Sequence, residues 1–277
     1  MDKKYEVHTL TPDSIKAFQI LIHDYYSMHS RSFPWRETTD PYHILVSEFM
    51  LQQTQTQRVT AKYNQFIRAF PDFRALNEVP FKDVLAVWQG LGYNRRALNL
   101  RKTAEIVVTR FQGELPSDTA ILETFPGIGK ATAGAIAAFA FSKPVIFIET
   151  NIRAVFIHVF FHDQENIRDT EILPLVKETL DFENPREWYY ALMDYGSMLK
   201  KAEKNPGRRS ARHHAQSPFE GSDRQIRGKI LRILLEAPQP TGVLIRECGS
   251  FQRVTRIIDQ LEKEGFLREV DSVCSLI

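Results

Sequence analysis

The sequence predicts an all-α fold followed by a small α+β module, and three observations predict it. Apolar residues recur at three- and four-residue spacing through most of residues 14–199, the period of helices that bury one stripe. Prolines at 34, 41, 71, 80 and 116 and the glycines of Gly90-Leu-Gly92 cut that pattern into helix-length pieces. After Glu264 the helical spacing gives way to strands, where Gly265-Phe-Leu-Arg-Glu-Val-Asp-Ser-Val-Cys-Ser-Leu-Ile277 reads as two short strands about a turn at Asp271-Ser272.

Taken in order, Ser14–Met28 is one periodic segment, and Pro41–Phe70 holds two more. Phe81–Trp88, Ala97–Phe111 and Asp118–Phe125 each carry the helical spacing, and Ala131–Phe141 is an alanine-rich helix able to pack closely. Further helices follow at Asn151–Phe160, Thr170–Leu180 and Pro185–Leu199. A run of Lys200, Lys201, Lys204, Arg208, Arg209 and Arg212 against the single acid Glu203, joined by His213 and His214, then breaks the pattern. Such a run reads as a solvated linker, and beside a DNA-binding module it could also meet phosphates. Arg224–Glu236, Gly242–Gly249 and Gln252–Glu264 are helical; with the two strands they outline a winged helix-turn-helix. Gln252–Glu264, bearing Arg253 and Arg256, is its groove-facing candidate, although a protein-docking domain has the same outline. The organisation is therefore a helical domain over 1–200, a basic flexible linker over 201–222 and a winged-helix-like domain over 223–277.

With 277 residues and 43% hydrophobic composition, the chain can build two modest cores. A net charge of +2 makes no global demand for nucleic acid. The only cysteines are Cys248 and Cys274, so one chain offers neither a disulfide framework nor four thiolates for an iron–sulfur cluster. The start, Met-Asp-Lys-Lys, has no apolar signal region, and no apolar stretch reaches spanning length. These readings place the protein in a reducing cytoplasm, with no membrane partner and no metal.

Three local patterns carry chemistry. Glu48 sits in Ser47-Glu-Phe-Met-Leu-Gln-Gln-Thr54, a carboxylate among Ile44, Leu45, Phe49 and Leu51. A charge dehydrated there needs a partner or a proton, and a neutral acid is what protonating a poor leaving group requires. The alternative is a glutamate on an exposed stripe. Phe125-Pro-Gly-Ile-Gly-Lys130 lies between two helices, and Gly127 and Gly129 allow a tight connection. The N–H groups opening the next helix, with Lys130 nearby, could hold a phosphate. Glu149 stands before Thr150-Asn-Ile-Arg153, either as a helix cap or as an anion facing a developing sugar cation.

Together these residues resemble the helix-hairpin-helix DNA glycosylase superfamily, in its MutY-type adenine branch. The likeness is carried by Pro34-Trp35-Arg36, Ser47-Glu48-x-Met50-Leu51-Gln52-Gln53-Thr54, Gly90-Leu-Gly-Tyr93, Pro126-Gly-x-Gly129, Thr132-Ala-Gly-Ala135 and Met193-Asp194-x-Gly196. It covers residues 14–200 and implies a two-lobed helical domain that extrudes a base from the duplex before cleaving its glycosidic bond. By resemblance Glu48 is the acid that protonates adenine N7, Glu149 the second carboxylate and Asn151 its support. Trp35, Arg36 and Asp194 resemble adenine-pocket residues, Gln53 and Tyr93 side chains that enter the duplex, and Gly127, Gly129 and Lys130 the phosphate hairpin. Taken singly, Trp35 and Tyr93 read equally well as core aromatics.

Four departures qualify the likeness. Glu149 stands where the family carries aspartate. Lys200, Gly207, Ser210 and Gln216 occupy the stretch of its four cluster cysteines, so no cofactor is expected. Ala131 holds the place of the Schiff-base lysine of endonuclease III-like relatives, which removes that route to strand cleavage. The C-terminal residues look too short and too helical for the family's 8-oxoguanine module, and Asn94 replaces a tyrosine often seen after Tyr93. The expectation is a monomeric, monofunctional glycosylase acting on duplex DNA at adenine opposite 8-oxoguanine or guanine. Two readings stay open beside it: a glycosylase of the same fold for uracil, thymine or an alkylated purine, and a non-catalytic DNA-binding protein.

Overall fold

A computed structural model of the chain describes residues 10–202, 204–213 and 218–277. The opening Met-Asp-Lys-Lys, Glu203, His214 and Gln216, named above, lie outside the described residues. Helices dominate: α1 (Pro12–His29), α2 (Pro41–Leu51), α3 (Thr56–Ala69), α4 (Phe73–Glu78), α5 (Phe81–Trp88), α6 (Arg95–Arg110), α7 (Thr119–Leu122), α8 (Lys130–Phe141), α9 (Thr150–Phe160), α10 (Asp169–Thr179) and α11 (Pro185–Ala202). After them come α12 (Asp223–Glu236), β1 (Gln239–Pro240), α13 (Thr241–Cys248), α14 (Phe251–Glu264), β2 (Leu267–Val270) and β3 (Val273–Leu276). The short α4 and β1 are not foreseen by spacing. No described helix is long and apolar enough to cross a membrane.

By packing, the chain forms two units. The first comprises Met1–Ile44, Ser117–Thr124 and Ile128–Ala215; the second comprises Leu45–Pro116, Phe125–Gly127 and Gln216–Ile277. In the first, Phe18 of α1 meets Phe156 and Phe160 of α9 and Trp188 of α11 edge-on, with centroids 5.2–5.7 Å apart. Burying such rings stabilises by area and adds an orientation preference. Small residues allow close packing: a methyl on Gly134 would collide with Phe147 at Cβ and the near ring carbons, and one on Gly196 with the Asn151 carbonyl oxygen.

Residues 204–213 fall within the stretch read as a flexible linker, yet they pack on this unit. Pro206 is buried, and a 3-10 turn over Pro206–Arg209 leads to a bridge between Ser210 and Ile167. Half-buried Arg209 donates to the carbonyls of Ile157 (3.1 Å), in the last turn of α9, and Gln164 (3.3 Å), which sets its charge at the C-terminal end of that helix.

In the second unit, Phe66 of α3 packs edge-on against Trp88 of α5 at 5.8 Å. The C-terminal part has the outline expected of a winged helix: three helices and an antiparallel sheet in the order β1-β3-β2. Asp271 and Ser272 link β2 to β3 with φ of 50° and 60°, the left-handed pair that a two-residue hairpin turn requires. This part packs on the rest of its unit through Phe81 and Phe266 (5.7 Å) and through Glu264, which binds Arg95 and Arg227.

Candidate active site

Glu48 lies in the last turn of α2, a helix begun by Asp40, whose Oδ1 accepts the backbone N–H groups of Tyr42 (2.8 Å) and His43 (3.1 Å). Around it on the helix Ile44, Leu45, Phe49 and Met50 are buried, and Glu48 itself is half-buried. The helix end that carries it is finished by a residue sequence reasoning missed. Arg96, only 7% exposed, donates through Nη1 to the carbonyls of Phe49 (2.9 Å), Met50 (2.8 Å) and Gln52 (2.5 Å). Its Nη2 reaches Thr54 Oγ1 (2.9 Å), Leu91 O (3.2 Å) and Gly92 O (3.0 Å). Burial lowers its pKa to about 10, which leaves it cationic at neutral pH, opposite the negative end of the α2 dipole.

Arg96 thus joins two loops that hold strained residues. Gln53 and Tyr93, both expected to enter the duplex, have φ of 55° and 48°. Non-glycine residues in this region persist only where surroundings fix them, and they concentrate at functional sites. Gln53 is exposed; Tyr93 is half-buried, with the Arg96 guanidinium 5.5 Å from its ring centroid. The signal for Arg96 was available: with Ala97, Leu100, Ala104 and Val107 it continues the buried stripe of α6.

The hairpin residues Gly127, Gly129 and Lys130 are exposed. Gly127 needs its glycine: φ is +79°, and a methyl there would lie 2.7 Å from Asn99 Nδ2. Its carbonyl accepts a hydrogen bond from Gln52 Nε2 at 3.2 Å. Gly129 has an ordinary extended backbone, with φ of −99°. It opens α8 without a capping side chain and with open space where a Cβ would stand.

In the first unit, Glu149 is the N-cap of α9, and its Oε1 accepts the N–H groups of Asn151 (2.6 Å) and Ile152 (3.0 Å). Thr150 Oγ1 (3.1 Å) and Asn151 Nδ2 (3.4 Å) stand at Oε2. The capping reading therefore describes the resting side chain, with the Asn151 amide beside it. Lys200 of α11 donates from Nζ to Asn151 Oδ1 at 2.8 Å, which fixes the orientation of that amide. Burial pushes the Lys200 ammonium below the ordinary lysine range, against the opposing pull of Glu149.

The residues expected to shape a base pocket form an ion cluster. Asp194, 2% exposed, accepts from Arg36 Nη1 (2.8 Å) and Nη2 (2.7 Å), from Arg31 Nε (2.7 Å) and from the Arg31 backbone (2.9 Å). Burial alone would raise the Asp194 pKa; the hydrogen bonds from Arg36 and Arg31 outweigh it and hold the carboxyl below its usual range. The Arg36 guanidinium also lies over Tyr190, 4.5 Å from the ring centroid, and Trp35 is buried and stacked on Phe33 at 5.0 Å. Arg31 was not foreseen.

Arg253 and Arg256, on the helix expected to face a groove, share one acid, Asp223, each at 2.7 Å. The cysteines do not fit an iron–sulfur cluster: Cys248 is buried in α13, Cys274 in β3 beside Thr241 Oγ1, and the chain has no other thiol. No cluster of three or more His, Cys, Asp or Glu poised for a metal occurs among the described residues.

The family model described as "HhH-GPD superfamily base excision DNA repair protein" matches residues 46–176. An adenine DNA glycosylase of Mycobacterium tuberculosis is 34% identical over 240 residues, covering 78% of each chain. One from Buchnera aphidicola subsp. Baizongia pistaciae is 35% identical over 186 residues, 66% of this chain; the chain spans about half (52%) of that relative's length. A thymine/uracil-DNA glycosylase of Methanothermobacter thermautotrophicus is 27% identical over 187 residues, 66% of this chain and 85% of the other. Among solved structures, a thermostable thymine-DNA glycosylase superposes with a TM-score of 0.61 at 24% identity, over 69% of this chain and 90% of that one.

Proposed function

The chain belongs to the HhH-GPD superfamily of base excision DNA repair proteins, in the MutY-type branch, and we propose that it removes mispaired adenine from duplex DNA. The observation that carries this reading is Glu48, set in the last turn of α2 among fully buried neighbours, with the helix end tied down by Arg96. A carboxyl in that setting is suited to act as a general acid. The similarity to adenine glycosylases over 78% of both chains supports the choice of base.

In this mechanism the adenine is extruded and Glu48 gives its proton to N7. The C1′–N9 bond then breaks, its electron pair going to the purine. Glu149 stabilises the oxocarbenium-like sugar, and Asn151, oriented by Lys200, holds that carboxylate. Water adds to C1′ and passes a proton back to Glu48, leaving free adenine and an abasic site. Ala131 offers no amine for a Schiff base, so the reading is monofunctional. Adenine opposite 8-oxoguanine or guanine is the proposed substrate. No step requires a metal or cluster.

Glu48→Gln keeps the shape and removes the acid. Single-turnover release of adenine should fall by about 10²–10⁴-fold, and near-normal release from every mispair would defeat the proposal. A second reading, removal of mispaired uracil or thymine, is favoured by the 27% identical thymine/uracil relative. Pyrimidines have no N7 to protonate, which leaves that role of Glu48 without an object. A panel of single-lesion duplexes separates the two, and release of uracil but not adenine would select the second.

A further inference from the structure

Tyr93 is held at both ends by arginines from different parts of the second unit. Arg96 supports its backbone side, through Gly92 O and the ring face. At the other end, Arg224 Nη1 donates to the Tyr93 hydroxyl at 2.9 Å, its guanidinium 5.9 Å from the ring centroid. Arg224 is in the first turn of α12, 131 residues further along the chain. The contact is not isolated. Arg95, two residues after Tyr93, donates from Nε to Glu264 Oε2 at 3.3 Å, and Arg227, one turn beyond Arg224, binds the same carboxylate at 2.6 Å. Phe81 and Phe266 close the contact beneath them.

We propose that Arg224 is a positioning residue through which the C-terminal module sets Tyr93 for probing a mispair. The inference rests on the proposed adenine-removing function and on the duplex-entering role that the family resemblance implies for Tyr93. A ring on a left-handed residue and fixed at its hydroxyl by a charged donor is ordered before DNA arrives. Ordering in advance removes an entropy cost that binding would otherwise meet. The module thereby contributes to discrimination without touching a base.

The test uses the full chain and four variants: Arg224→Met, Arg224→Lys, Tyr93→Phe and the double variant Tyr93→Phe/Arg224→Met. Affinity is measured for a duplex with a non-hydrolysable adenosine analogue opposite 8-oxoguanine and for the matched duplex, with thermal melting as the folding control. Arg224→Met should reduce the mispaired-to-matched preference by about tenfold, and Arg224→Lys should restore part of it. Tyr93→Phe, which keeps the ring and loses only the hydroxyl, should match Arg224→Met, and the double variant should be no worse than either. Three results would overturn the inference: an unchanged preference in Arg224→Met, equal weakening on both duplexes as for a simple phosphate contact, or additive losses in the double variant. A wild-type chain without mispair preference overturns the proposed function as well. A wild type that discriminates beside an Arg224→Met that does so equally removes this inference alone.

Discussion

Asp194 is a carboxylate taken out of water and kept ionised only by its two arginines. Removing one member of such a cluster leaves buried charge uncompensated, which costs about 3–5 kcal/mol. Asp194→Asn should therefore destabilise the first unit by that amount at neutral pH, measured by denaturant unfolding. Because the folded-state pKa is depressed, the wild-type advantage is fully present above the unfolded-state value, about 3.9. It should shrink as pH falls below that value through the folded one; a gap that instead narrowed on raising the pH would contradict this account. Legibility in the sequence is uneven at this scale. Glu48 announced itself as one charge in an apolar run, and Arg96 repeated that signal on α6 unnoticed. Asp194 and Arg36 were both named by motif, but Arg31 and the ion pairing were not, because the two arginines stand more than 150 residues from Asp194 and nothing local links them. Glu149 could be a cap or a catalytic anion from sequence alone, since both uses place an acid at a helix start.

Helices α9 and α11 show how an element can hold a site it does not contain. Gly196 lets α11 lie directly on the first turn of α9, where any Cβ would collide with backbone rather than with a side chain able to turn aside. Gly196→Ala must displace that turn, and overpacking of this kind costs about 1–3 kcal/mol. Glu149 and Asn151 stand on the displaced segment, and a shift of about 1 Å in a catalytic group can cost on the order of 100-fold in rate. Adenine release should fall about that far in a protein that still folds; a stability loss with unchanged single-turnover rate would show that the packing does not bear on the carboxylate. Long elements were legible because their period repeats. The hairpin turn was legible because Asp271-Ser272 tolerates left-handed backbone. Six-residue α4, capped by Asp72 on Ala75 (2.8 Å) between Pro71 and Pro80, is too short for periodicity to register. Strand β1 is two residues whose pairing is supplied by β3, so its sequence carries no strand signal of its own.

At the scale of the molecule, a division along the chain and a division in space answer different questions. Composition marks a basic stretch near residues 200–222, where helix-forming pattern lapses. Packing instead groups Gln216–Ile277 with Leu45–Pro116, because contacts such as Phe81–Phe266 and Arg95–Glu264 join residues 169 or more apart. Sequence pattern reports local periodicity and is blind to such pairings. The consequence is that the C-terminal module and α5–α6 should lose structure together. Phe266 is fully buried, and its Phe266→Ala variant loses ring burial and leaves a cavity, a change worth about 3–5 kcal/mol. Native-state hydrogen exchange can locate that loss. If the second unit is cooperative, amides in α5 and α6 lose protection by the same amount as those in α12 and α14. If only residues 218–277 respond, the module is an independently folding appendage, and Phe81 is a neighbour without energetic coupling to it.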